Sequence, residues 1–474
     1  STMPARAAEC LLDTNDNAVV DPADTDGGAT SDGTTATLAC GQNAKANTID
    51  SIAVGRNAEA GYSLFGNTAA IAVGSNSLAF GARSLAIGTD GDADGFGAIA
   101  QGADSIALGT DAWAAEHDGI AIGRRAVVGG GGVSIGAQSN AVVSGVAIGQ
   151  NSFAREAGDV AIGLGSKTNA GISASGGTIA IGQNANSSGN GSIAFGKDAR
   201  SDSSIAIGER SSSDFLGLAI GKSSSAYFAA TAISTNAIAG ATASLAIGHS
   251  ANIEFNADRA IALGDNARVN SSSPDAIAIG SASVAGTQAS IALGHKAQTA
   301  GIDSIAIGSS TLATSVGAIA IGGDLDADGM GARVSGVSGL AIGTDATVSN
   351  NFGLAIGALS KSSGRSAVAV GTGADADGAR STALGVGATS NSDNSVALGA
   401  SSIADREQTV SVGRAGAERQ ITNVAAGTQG PDAVNFDQLN AVGTTANNAL
   451  ANAAAAQSTA DAALAAVTSA EGNA

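Results

Sequence analysis

An all-β solenoid that ends in one helix is the fold class this sequence predicts, and three observations predict it. A short motif, small–aliphatic–Ala–aliphatic–Gly, returns about every fourteen residues through most of the chain. That motif is apolar on both faces of a strand, whereas the segment after it is apolar on one face only. Past Gly413 the repeat gives way to a segment of different character and then to an Ala-rich, proline-free tract with heptad spacing.

Composition sets the limits. A chain of 474 residues suggests about three ordinary domains. Hydrophobic residues make up 44% of it, yet aromatics are 3% and glycines number 68, so the core must be thin layers of Ala, Ile, Val and Leu. A net charge of -19 argues against nucleic acid or an anionic membrane as partner. No signal peptide or membrane-length apolar run is present, so targeting and anchoring parts of a secreted protein would lie outside this sequence.

Residues 1–40 match no repeat and read as an acidic cap over the open end of the solenoid. Cys10 and Cys40 form either one disulfide or two free thiols. The bridge is the favoured reading, and it fits an oxidising compartment. Asp13, Asn15, Asn17, Asp21 and Asp24 have calcium-loop offsets, but Ala18 stands where such a loop needs Gly, so they read as solvated.

The repeats occupy residues 41–418. From Gly280 the anchors Gly294, Gly308 and Gly322 follow at fourteen-residue steps, and they resume at Gly343, Gly357, Gly371, Gly385, Gly399 and Gly413. Some earlier steps are shorter or longer, and the anchor near Thr235 is lost. Fourteen residues suit two short strands and two tight turns, one coil of a solenoid. In SIAIG, Ile305 and Ile307 face one way and Ala306 the other. In GTGADADG, Ala374 and Ala376 face inward, Asp375 and Asp377 face water, and Gly378 is expected to supply a turn of positive φ. A coil of two strands cannot cover both faces of its first strand, so copies of the chain are expected to cover it for one another. Some twenty-five coils at about 4.8 Å each would make a rod on the order of 120 Å long.

Beyond the repeats, Pro431 followed by Asp432 predicts a helix start with Asp432 as cap. One heptad register runs through Phe436, Gly443, Leu450, Gln457 and Leu464 with Leu439, Ala446, Ala453, Ala460 and Val467, and another through Val442 and Ala449 also fits.

Fourteen-residue SVAIG-type repeats, then "RQITNVAAG…DAVNFDQL", then a heptad helix resemble the head, neck and stalk start of trimeric autotransporter adhesins with a YadA-like head. The resemblance implies a left-handed parallel β-roll, homotrimeric, followed by a neck at 419–438 and a trimeric coiled coil at 439–474. It implies that Arg419, Ile421, Thr422, Asn423, Val424, Asp432, Ala433, Val434, Asn435, Gln438 and Leu439 form the neck. It also implies a cell-surface protein of a Gram-negative bacterium, anchored in the outer membrane through a C-terminal part. Such a protein would bind host extracellular matrix proteins or cell-surface receptors, and like adhesins on other cells in self-aggregation or biofilm.

Few side chains stand out as sites. Two twenty-one-residue steps carry Asp90, Asp92 and Asp94 before Gly95, and Asp324, Asp326 and Asp328 before Gly329. They match the opening of a calcium loop without its closing Glu. Aligned to the repeat they fall at outward positions of the second strand, so solvated acidic turns are the preferred reading and a weak calcium site the alternative. No other cofactor is expected. Trp113 and Phe153, four residues past their anchors, should point outward and are the candidate ligand contacts. His117, His249 and His295 are isolated, and Gly129–Gly132 lacks the Lys-Ser or Lys-Thr of a phosphate loop. The chain is therefore read as a non-enzymatic adhesin. A β-solenoid carbohydrate-active enzyme is the alternative, and an ice-binding solenoid lacks its Thr-x-Thr array.

Overall fold

The computed structural model describes residues 8–9, 29–31, 37–62, 69–169, 176–326 and 328–472. Cys10 and the acidic run from Asp13 to Asp24 lie outside the described residues. Two compact units are present, Ser1–Val410 and Ser411–Ala474.

The first unit is a parallel β-solenoid. Each coil has a three-residue strand such as Ile305–Ile307 and a shorter one such as Leu312–Ala313. First strands pair only with first strands, in register (Ile305 with Ile319, Ala306 with Ala320). Second strands pair likewise with second strands (Leu312 with Arg333, Ala313 with Val334). Two ladders therefore face each other across the coil.

The core between them is built mainly from alanine, with many buried serines and threonines. The central residue of the first strand is fully buried from Ala39 to Ala397, and the series is broken by Ser134, whose hydroxyl bonds Ser139 Oγ at 2.7 Å. In the second strand the inward residue is usually Ala too, but Val128, Ile253, Val269, Val334 and Val348 are larger. Space is made for some of them by Gly at the position just before a first strand. A Cβ on Gly339 would lie 2.8 Å from Cγ1 of both Val334 and Val348, and one on Gly353 would lie 2.8 Å from Val348 Cγ1. Volume is conserved across the layer, as close packing demands.

The anchor glycines do two things. Their φ lies near +130°, as at Gly294 (+136°) and Gly308 (+128°), where other residues are strained. A Cβ on Gly294 would also sit 2.4 Å from the carbonyl oxygen of Gly308, so the anchors stack backbone on backbone. The coil without an anchor Gly keeps this geometry through Ser234, at φ +116°. Gly413, counted in the anchor series by sequence, does not take this φ. Nor does Gly378 provide the left-handed turn expected of it. Arg380 does so, at φ +55°, and Gly378 is required because a Cβ there would lie 2.1 Å from the carbonyl oxygen of Ser392.

In the second unit one helix, α1, spans Phe436–Glu471. Its N-cap is Asn435, not Asp432. Asn435 Oδ1 accepts the backbone N–H of Gln438 at 3.1 Å, and Gln438 Oε1 accepts that of Asn435 at 3.3 Å, a reciprocal capping box. Asp432 instead turns back, its Oδ2 accepting the N–H groups of Thr428 and Gln429 at 2.9 Å each. Those bonds hold its carboxyl below the usual range. No residue of α1 is buried, so Leu439, Leu450, Leu464 and Val467 all face solvent. Among the described residues no helix is long and apolar enough to cross a membrane.

Candidate ligand-binding surface and acidic loops

The two sheets present opposite outer faces of different chemistry. On the first sheet the outward residues are aliphatic coil after coil: Ile277 and Ile279, Ile291 and Leu293, Ile305 and Ile307, Ile319 and Ile321. From Leu38 to Leu398 no charged residue stands at these positions; Cys40, Thr231 and Thr382 interrupt the aliphatic run, and Phe195 joins it. These side chains are half-buried or exposed, and an apolar stripe this long far exceeds the few hundred Å² tolerated on a soluble surface.

The second sheet is mixed outside, with polar and charged residues such as Lys45, Glu59, Asn140 and Lys361 among apolar ones such as Leu78, Ile99 and Val127. Trp113 stands there, 43% exposed, in register with Ile99 and Val127. Phe153 is half-buried, in register with Asn140 and Lys167. The two aromatics lie three coils apart and do not form one site. A shallow groove of about 770 Å³ opens beside Phe153, lined also by Gln138, Asn140, Asn151, Lys167 and Asn184. Sequence reading missed this groove. Its signal is the run of amide residues at fixed offsets past successive anchors, Gln138 and Asn140, then Asn151, then Asn184 and Asn186.

The acidic segments do not lie on second strands, contrary to the alignment drawn from the repeat. Each is an extra loop inserted between an anchor and the second strand that follows, Ile99–Ala100 after the first and Arg333–Val334 after the second. The ordinary DADG after Gly371 does put Asp375 on a strand, where Lys361 Nζ meets Asp377 Oδ1 at 3.0 Å. In each inserted loop three carboxylates gather with oxygens within 4.8 Å of one another. Asp90 accepts the N–H groups of Ala93 (2.7 Å) and Gly95 (3.0 Å), and Asp324 accepts that of Gly329 at 2.8 Å. Partial burial opposes the charge on Asp90, but the amide of Asn76 and the backbone N–H groups outweigh it and lower its pKa. An aspartate from the next coil joins each loop: Asp111 accepts from Gly91 N–H at 2.8 Å, and Asp345 from Leu325 N–H at 3.3 Å.

The residue that stands beside each loop from two coils further on differs in charge. Arg125 reaches Asp92 at 2.9 Å and Asp111 at 3.4 Å. Leu359 holds the equivalent place beside the second loop, two residues past its anchor, and no cation pairs with that loop among the described residues. Desolvation, followed by repulsion from Asp326, Asp324 and Asp328, pushes the Asp345 carboxyl up. His117 Nδ1 accepts the N–H of Ala103 at 3.1 Å, and His249 lies 2.9 Å from Asp265. Neither belongs to a catalytic cluster.

The expected neck residues fall into two groups. Asn435 Nδ2 donates to the carbonyl of Val424 (3.3 Å), while the Gln438 amide both accepts from Gly427 N–H (2.9 Å) and donates to Gly427 C=O (3.0 Å). Arg419 Nη1 donates to the carbonyl of Val412 at 2.6 Å. Ile421 (69% exposed), Val434 and Leu439 project into solvent, and Asn423 turns the chain at φ +62°.

Family profiles assign both units. The head-repeat profile of YadA matches twelve segments between residues 29 and 414, over half of the chain, and the coiled-stalk profile of trimeric autotransporter adhesins matches 420–462. The chain belongs to the YadA-type trimeric autotransporter adhesins. The crystal structure of the collagen-binding domain of the Yersinia adhesin YadA is 36% identical over 32% of this chain and 80% of that one, with a TM-score of 0.29. A search of curated proteins returns no match. The matched families are adhesin head and stalk modules and not enzymes, so the protein is an adhesin head with the start of its stalk, carried at a cell surface.

Proposed function

We propose that three copies of the adhesin pack through the aliphatic face of their first sheets and bind host extracellular matrix or cell surfaces through the mixed outer face of the second. The observation that carries this reading is the uninterrupted absence of charge on the first-sheet face from Leu38 to Leu398, in a chain of net charge -19. Covering such a face removes apolar surface from water at roughly 25 cal/mol per Å². The exposed apolar residues of α1 are covered in the same way by a coiled coil, and Ile421 and Val434 by neighbouring chains at the neck. Repetition along the second sheet and three-fold display multiply individually weak contacts.

Sedimentation equilibrium tests the assembly. A mass near 135 kDa, three times the 44.9 kDa chain, is expected. A stable 44.9 kDa species would remove the proposal.

A further inference from the structure

The groove beside Phe153 brings an aromatic, several amides and a lysine together on one stretch of the second sheet. Asn140, Phe153 and Lys167 stand side by side on consecutive strands, about 4.8 Å apart. Gln138, Asn151 and Asn184 line the same groove from the adjoining turn. Several other members of these two columns are internally paired. Asn43 donates to Asn57, Asn57 to Asn76 and Asn76 to Asp90, at 3.1, 2.9 and 2.8 Å. On the strand column Lys45 pairs with Glu59 and Lys361 with Asp375. Among the described residues, the side chains of Gln138, Asn140, Asn151 and Lys167 have no such partner. The second observation is charge. No carboxylate occurs in the five successive second strands Val127–Val128, Asn140–Ala141, Phe153–Ala154, Lys167–Asn169 and Asn186–Ser188, and the groove meets an acid at its edge, where Asn184 Nδ2 donates to Asp198 Oδ1 at 3.0 Å.

We infer that this groove binds an acidic glycan. A sugar ring presents a face of C–H groups with partial positive charge, which matches the negative face of an aromatic ring. Phe153, half-buried on the outer face, supplies that platform. Planar amides each offer donors and an acceptor, which suits neighbouring hydroxyls. Lys167, one strand spacing from the ring, is a point charge placed for a carboxylate on the sugar, and no acid on these strands opposes it. One half-buried aromatic among amides gives too little apolar surface for a protein anchor. The groove lies on the sheet opposite the aliphatic face, so it remains open when that face is covered. This deepens the adhesive reading by naming a ligand class.

The test uses the purified full chain and saturation-transfer difference NMR with 3′-sialyllactose, a hyaluronan tetrasaccharide and lactose, each at about 10 mM to reach millimolar affinities. Transfer to both acidic saccharides and weaker transfer to lactose are expected. Phe153→Ala should cut the signal about fivefold or more, and Lys167→Gln should bring the acidic sugars down to the lactose level. Both changes are on an outer face, so the melt should not move. If Phe153→Ala lowers it, Asn151→Ala replaces it, because Ala282 already holds the equivalent turn position at φ +55°. No transfer from either acidic saccharide, or transfer that survives the groove variants, overturns the inference. Because no cells are involved, that failure would leave matrix attachment by another part of the surface standing.

Discussion

Ser234 is the one described residue that takes an anchor's backbone without being glycine, and replacing it measures what the anchors contribute. Its φ of +116° lies between the conformations of Gly221 (+132°) and Gly248 (+134°) and the region open to side chains. Holding a non-glycine residue in so sparsely populated a region costs about 1–3 kcal/mol. Ser234→Gly removes that strain but gives the unfolded chain more freedom, which takes back about 0.4–1 kcal/mol. The net gain is roughly 1–2 kcal/mol, a factor of about 5–30 in the local opening equilibrium. A long repeat array does not melt in two states, so a melting temperature flags gross destabilisation but does not give the free energy of one coil. Amide hydrogen exchange of peptides spanning Thr231–Ile233 and Leu245–Ile247 reads the affected coils directly. Slower exchange there is expected. The reverse change, Gly248→Ser, places a Cβ 2.3 Å from the Gly264 carbonyl oxygen as well as straining φ, and should accelerate exchange by more than tenfold. Unchanged or faster exchange in Ser234→Gly would refute the argument that the anchor column is selected for its backbone conformation.

Four further outcomes follow from other contacts. Gly339→Ala should destabilise its coils by about 1–3 kcal/mol, and a background of Val334→Ala and Val348→Ala should recover most of that loss, giving a coupling that additive costs would disprove. Asn435→Ala should cost α1 about 1 kcal/mol by circular dichroism, whereas Asp432→Ala should loosen the loop at Thr428–Gln429 and leave helix content alone; the opposite ranking would restore Asp432 as cap. Asp345→Asn should stabilise the second acidic loop at neutral pH. Because the folded carboxyl titrates above its unfolded value of 3.8, the charged form is the unfavourable one, and the gain should fade as pH falls through the folded pKa and vanish below 3.8. Leu359→Arg should stabilise the same loop by copying Arg125, and should blunt any rise in melting temperature produced by calcium; a calcium response equal in variant and wild type would place the ion elsewhere.

Much of the fold was legible because the repeat reports its own register. Alternation fixed Ile305 and Ile307 outward and Ala306 inward, and the structure keeps that arrangement in coil after coil. Local exceptions were harder. Asp432 and Asn435 are both good caps by residue type. Only the Gln three positions past Asn435 separates them, and its value lies in a reciprocal bond that composition does not reveal. Gly378 and the anchor glycines look alike in sequence, yet one is required by a neighbouring carbonyl and the others by φ as well. The acidic segments were aligned to strands because DADG also occurs on a strand at Asp375, and a seven-residue insertion leaves no mark that separates loop from strand. The groove at Phe153 required residues from successive coils to be superposed, so a linear scan had no means of seeing it.

The stacked glycines have a genetic consequence. Gly280, Gly294, Gly308 and Gly322 present the same backbone surface above and below, and each coil touches only its two neighbours. Removing or duplicating one whole coil therefore joins surfaces that already fit. The number of coils is thus free to drift by gain or loss of the segments that encode them, while the cross-section stays constant. The length of the solenoid becomes a countable, heritable variable, graduated in steps of about 4.8 Å.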